Sequence, residues 1–136
     1  MRVVLDTNIL VSALLWRGTP HRCLLAVQAG LADLVVSPPI LDELRVVLMT
    51  KFQFTVPDAD EAVKLIRAAA DMVEISGQLR VVADDPDDDK FVETARTGRA
   101  EIIVSGDRHL LALGSGAGVP VITAREFLDR LAGGSA

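Results

Sequence analysis

The chain reads as an α/β protein, a single layered domain with a mainly parallel central β-sheet flanked by α-helices. Three observations predict it. Short apolar runs alternate with longer stretches of helical spacing along the 136 residues, as in strand–helix–strand units that build parallel sheets. Gly30, Gly98 and Gly133 fall where those helical stretches should stop. Half of the residues are hydrophobic (50%), so a chain of this length can bury a sizeable core unaided.

In order, strands are expected at residues 2–5, 33–37, 73–75, 101–104 and 119–122. Helices are expected at about 20–29, 39–49, 59–71, 88–97, 108–113 and 124–131. Val119-Pro120-Val121-Ile122 suits a short edge strand, where proline is tolerated. Gly114-Ser115-Gly116-Ala117-Gly118 suits a flexible turn, and residues 133–136 a disordered tail, which puts the domain at 1–132. The stretch 41–54 mixes apolar residues with Arg45, Lys51, Phe52 and Phe54. It is either packed on the helix expected at 59–71 or partly exposed as an interface.

A net charge of −5 and a pI near 4.9 argue against a broad basic face gripping nucleic acid. They leave room for an enzyme whose metal ions meet phosphates. No apolar run approaches the roughly 18 residues of a membrane span, and no signal-peptide pattern is present. Cys23 is the single cysteine, set in an apolar helical stretch and expected as a buried, inert thiol. Together these point to the cytoplasm.

The acidic residues carry the chemistry. Asp6 ends the first strand, and Asp107 follows the fourth after the Ser105-Gly106 turn. Ligands of open parallel sheets bind outside the carboxyl ends of strands, where the topology changes direction, so adjacent strands would bring these two carboxylates into one crevice. Their plainer roles are a turn former for Asp6 and a helix N-cap for Asp107. Ile40, Glu43, Leu44, Val47 and Leu48 share the i, i+3, i+4, i+7, i+8 stripe of the second expected helix. A glutamate there is unusual unless paired or metal-bound, the plainer reading being a rim position paired with an arginine. Five aspartates crowd six positions in Asp84-Asp85-Pro86-Asp87-Asp88-Asp89. Asp88 shares a helical face with Phe91, Val92 and Ala95 and is expected to point inward. Asp87 is expected as the N-cap, Asp84 and Asp85 in the solvated loop, and Asp89 and Lys90 toward solvent or the flank.

Leu5-Asp6-Thr7-Asn8, Leu41-Asp42-Glu43-Leu44, Asp87-Asp88-Asp89-Lys90-Phe91 and Val104-Ser105-Gly106-Asp107 occur in the order found in PIN domains. The resemblance spans essentially the whole chain and is most similar to stand-alone bacterial PIN proteins that serve as toxins of toxin–antitoxin pairs. It implies that Asp6, Glu43, Asp88 and Asp107 form an acidic quartet holding Mg²⁺ or Mn²⁺, with Asp89 the alternative to Asp88 by one register. It also implies supporting positions for Ser105 beside the metal site and Asn8 at its edge. The implied substrate is RNA. The implied partners are a second copy in a homodimer and a small antitoxin whose segment occludes the crevice; as a separate hypothesis, an antitoxin arginine reaches the acidic quartet and competes with metal.

The chemistry of the residues agrees. Four carboxylates cannot all stay ionised in a dry crevice without cations, and hard divalent ions such as Mg²⁺ or Mn²⁺ suit oxygen donors. In-line attack of water on a phosphodiester would leave a 5′-phosphate and a 3′-hydroxyl. Arg17, Arg22, Lys51 or Arg108 would hold the strand. A calcium EF-hand lacks its glycine and distal glutamate. A haloacid-dehalogenase phosphatase needs an aspartate where Asn8 stands, a receiver domain needs an acidic pair, and the 114–118 glycines miss the dinucleotide spacing. Two alternatives remain: a metal-independent ribonuclease using His21 and His109 as acid and base, both expected to be exposed, and a catalytically silent PIN-like binding scaffold.

Overall fold

The computed structural model describes residues 1–82 and 86–133. Among the described residues there are five strands: β1 (Arg2–Leu5), β2 (Asp33–Val36), β3 (Ala70–Met72), β4 (Ile102–Val104) and β5 (Val121–Ile122). The helices are α1 (Thr7–Leu15), α2 (Thr19–Gln28), α3 (Pro38–Lys51), α4 (Val56–Ala68), α5 (Asp89–Thr97), α6 (Arg108–Leu111) and α7 (Ala124–Leu131). Every strand pair is parallel, in the order β3-β2-β1-β4-β5. The sheet therefore grows outward from β1 in both directions, and its winding reverses between β1 and β4. A crevice opens at the carboxyl ends of those two strands.

The strands at the centre are apolar without alternation because both faces are covered. Val3, Val4, Leu5, Leu34, Val35, Val36 and Ile102–Val104 are all buried, as parallel sheets sandwiched by helices require. Cys23 is buried too, with its thiol pushed up to about 11 by burial, so it is not poised as a nucleophile. The proline-bearing segment supplies β5 at one edge of the sheet. Gly30 and Gly133 adopt positive φ just beyond α2 and α7, as helix-ending glycines do.

Helix α1 departs from the sequence expectation, which left residues 7–15 unassigned. Thr7, Ile9, Leu10, Val11 and Ala13 are all buried, so the helix has almost no polar face and little amphipathic period to detect. Its signal is local. Asp6 is the N-cap, its Oδ1 accepting from the Ile9 N–H at 2.8 Å. Helix α4 and strand β3 lie earlier in the chain than the expected 59–71 and 73–75. Thr55 caps α4 through the Asp58 N–H, and Pro57 falls in the first turn, where a missing N–H is harmless. The apolar period alone does not register that turn.

Residues 41–54 are largely used by the fold. Helix α3 packs on α4, Arg45 pairs with Asp60 at 2.7 Å, and Phe52 and Phe54 rest partly buried on the core. At the end of α5 it is Arg99, not Gly98, that takes positive φ. Gly98 is required for space: a Cβ there would overlap Val35 Cγ1 on β2. Asp84, Asp85 and the tail residues 134–136 lie outside the described residues.

Candidate functional site

A pocket of about 220 Å³ opens at the carboxyl ends of β1 and β4. It is lined by Asp6, Thr7, Asn8, Glu43, Val47, Lys51, Asp87, Asp88, Phe91 and Asp107. Each arrives from a different local rule. Asp6 is the first residue after β1 and continues the ladder, its N–H donating to the Val104 carbonyl at 3.1 Å. Glu43, Val47 and Lys51 recur every fourth residue along α3, so one helical face presents all three. Asp87 and Asp88 belong to a 3₁₀ turn, Pro86–Asp88, that leads into α5. Asp107 caps α6, with Oδ1 accepting from the His109 and Leu110 N–H groups.

Ser105 ties two of the acids together. Its Oγ donates to Asp6 Oδ2 at 2.5 Å and accepts from the Asp107 N–H at 2.9 Å. The hydroxyl is fully buried, as is nearly all of Asp6, which is 3% exposed. Burial pushes the Asp6 carboxyl up to about 6, against the lowering effect of its bonds from Ser105 and Ile9, with Asp107 and Glu43 adding repulsion. Asp6 thus feels the charge of two other acids of the pocket. Glu43 sits at the rim of its stripe, half-exposed, accepting from the Thr7 hydroxyl through Oε1. Its ion partner is Lys90, at 2.9 Å from Oε2, rather than an arginine.

The aspartate run resolves differently from its helical projection. Asp88, not Asp87, occupies the N-cap position, with no side-chain capping bond. Asp88 closes the 3₁₀ turn with helical backbone angles, φ −85° and ψ −9°, and lines the pocket beside Phe91, the inward side expected of it. Asp89 and Lys90 do not turn outward. Asp89 is 5% exposed and accepts from the Val81 and Val82 N–H groups, both at 2.7 Å, which leaves it outside the acidic pocket. Its contribution is to hold the segment before the aspartate run. Of the basic residues named from sequence, Lys51 lines the pocket and Arg17, Arg22 and Arg108 do not.

Neither histidine lines the pocket. Both are half-buried rather than exposed, and His21 Nδ1 lies 2.8 Å from the Ala13 carbonyl. Nothing in the sequence marks Thr7 or Lys90 as a partner of the acids. Phe91 and Val47 were visible as apolar stripe members, but nothing local marks a stripe residue as a pocket wall.

The donor set suits a hard divalent cation. Among the described residues five carboxylates face the pocket against one lysine, every carboxylate donor is oxygen, and burial destabilises the ionised form of Asp6, which a cation would relieve. Among the described residues no three such side chains are drawn together into a ready-made metal cage. The acids line the walls rather than converge on one point. Among the described residues no helix is long and apolar enough to cross a membrane.

No curated protein matches the chain in sequence. Its fold is similar to that of PAE2754 from Pyrobaculum aerophilum, with TM-score 0.68 and 18% identity over 98% of this chain and 90% of that one. It is also similar to VapBC2 from Rickettsia felis, solved bound to a DNA fragment from their promoter, with TM-score 0.60 and 16% identity over 90% of this chain and 97% of that one. A family model described as PIN domain matches residues 2–109, a span that carries the four acidic motifs, and the chain belongs to the PIN domain family.

Proposed function

We propose that this chain is a divalent-metal-dependent endoribonuclease, the toxin of a toxin–antitoxin pair, with its nuclease domain extending over residues 1–132. The observation that carries the reading is the meeting of Asp6, Glu43, Asp88 and Asp107 in one pocket at the switch point of the sheet. PIN domains are generally nucleases, and the likeness to VapBC2, a toxin–antitoxin complex, supports a cognate antitoxin. A homodimer in the cytoplasm, inhibited by an antitoxin arginine that competes for the acids, completes the proposal.

Asp6, Glu43, Asp88 and Asp107 would hold Mg²⁺ or Mn²⁺, which would neutralise phosphate charge and make water a better nucleophile. The chain's own residues prepare the site. Ser105 fixes the orientation of Asp6 through its short hydrogen bond, and the Thr7 hydroxyl fixes Glu43. Asp107, anchored by two N–H groups at the mouth of α6, would help hold the metal or orient the attacking water. Lys51 offers an ammonium for a phosphate of the strand, and Asn8, exposed at the pocket edge, a polar contact.

The decisive experiment incubates the purified protein with end-labelled single-stranded RNA in Mn²⁺ or Mg²⁺ and in EDTA, beside Asp6→Asn. The expected result is cleavage that needs the metal and is lost in the variant, with 5′-phosphate products. Cleavage persisting in EDTA would sink the metal reading. No cleavage together with no Mn²⁺ binding by calorimetry would favour the silent scaffold.

A further inference from the structure

Both oxygens of Glu43 are engaged from within the protein. Thr7 holds Oε1, and the Lys90 ammonium lies 2.9 Å from Oε2. Lys90 is itself only 15% exposed. It also donates to the Asp87 carbonyl and stands 4.8 Å from the Phe91 ring centroid. Yet it does not line the acidic pocket, whereas Glu43, Asp87 and Phe91 do. An ammonium paired with Glu43 and set outside the pocket lining is badly placed to grip a phosphate there. Its charge reaches the pocket through Glu43.

Resting on the metal-nuclease reading above, we infer that Lys90 is the resident counter-cation of the acidic site, a positioning residue that holds Glu43 and sets how tightly a divalent ion binds. In the cation-free protein the ammonium offsets repulsion among the clustered carboxylates. An entering ion must share Glu43 with it and is repelled by it. Lys90 thus protects the empty site and weakens the filled one.

The test is calorimetric Mn²⁺ titration, with thermal unfolding in EDTA, of the whole chain and its variants. Lys90→Met keeps the length of the buried stem and deletes the charge. It should bind Mn²⁺ about five- to tenfold more tightly than the parent, the order expected from removing one like charge several ångströms from the ion, and melt at a lower temperature in EDTA. Lys90→Gln, a second uncharged variant in case the first misfolds, should shift affinity the same way, and Lys90→Arg should return it toward the parent. In a Glu43→Gln background the gain from Lys90→Met should shrink to less than about twofold, because the two residues are coupled. A folded, uncharged variant that binds Mn²⁺ no tighter than the parent would overturn this inference and leave the nuclease reading standing. Absence of Mn²⁺ binding in the parent and all variants would overturn both.

Discussion

Asp6 concentrates the chemistry of the site because three demands fall on one carboxyl. It caps α1, accepts from Ser105, and is buried beside two other acids. Its folded value of about 6 lies above the ordinary aspartate value, so the native state holds this proton more tightly than the unfolded chain does. Stability from this group is therefore greatest below the unfolded value and falls as pH rises from about 4 through about 6, by roughly 3 kcal/mol in total. In EDTA, the melting temperature should decline across that window more steeply in the parent than in Asp6→Asn; equal slopes would mean that Asp6 is not the titrating group. Mn²⁺ affinity should fall as pH drops below about 6, because ligation requires the carboxylate. Ser105→Ala removes the hydroxyl that orients Asp6 and should lower cleavage by about tenfold or more with little change in fold, in line with losses seen when ligand-orienting partners are removed.

At the scale of elements, α5 is the hinge between core and site. Its inner face packs Phe91, Val92 and Ala95 on the sheet, while Thr94 Oγ1 meets Ser37 Oγ at 2.7 Å in the interior. At its start, Asp89 accepts two backbone N–H groups from residues 81 and 82. Asp89→Ala would leave those donors without their acceptor and should destabilise the protein by about 1–3 kcal/mol. Hydrogen exchange at Val81 and Val82 should accelerate, and Mn²⁺ affinity should change far less than in Asp88→Ala. A reversal of that order would make Asp89 the ligand. At the other end, Gly98→Ala drives a Cβ into Val35 and should cost about 1–3 kcal/mol by overpacking, read as a lower denaturation midpoint.

For the whole molecule, the pocket joins pieces that are remote in sequence: the end of β1, α1, the inner face of α3, the turn before α5, and the start of α6. A cation held there ties them together and should raise the melting temperature in a concentration-dependent way that EDTA reverses, as any ligand bound only by the native state does. Loss of that response in Asp6→Asn would locate the effect at this site. The fold class, the central strands and the approximate positions of most helices were legible because they rest on local rules: apolar runs, helical periodicity and stop signals. Asp6 and Asp107 were legible as strand-end carboxylates, and Glu43 as an acid in an apolar stripe. Helix α1 escaped because a helix buried on most sides has little periodicity, although its cap was in plain view.

What the sequence by itself determined is thus the α/β architecture, the family resemblance and the set of acids available to one crevice. Tertiary structure alone decided that Asp89 turns inward to anchor residues 81 and 82, that Ser105 grips Asp6 from 99 positions away, and that Lys90 rather than an arginine pairs with Glu43. The physical reason is that periodicity records which side of an element is apolar. It carries no record of which side chains from separate elements meet, because those contacts follow from strand order, and strand order is set by packing the whole chain at once.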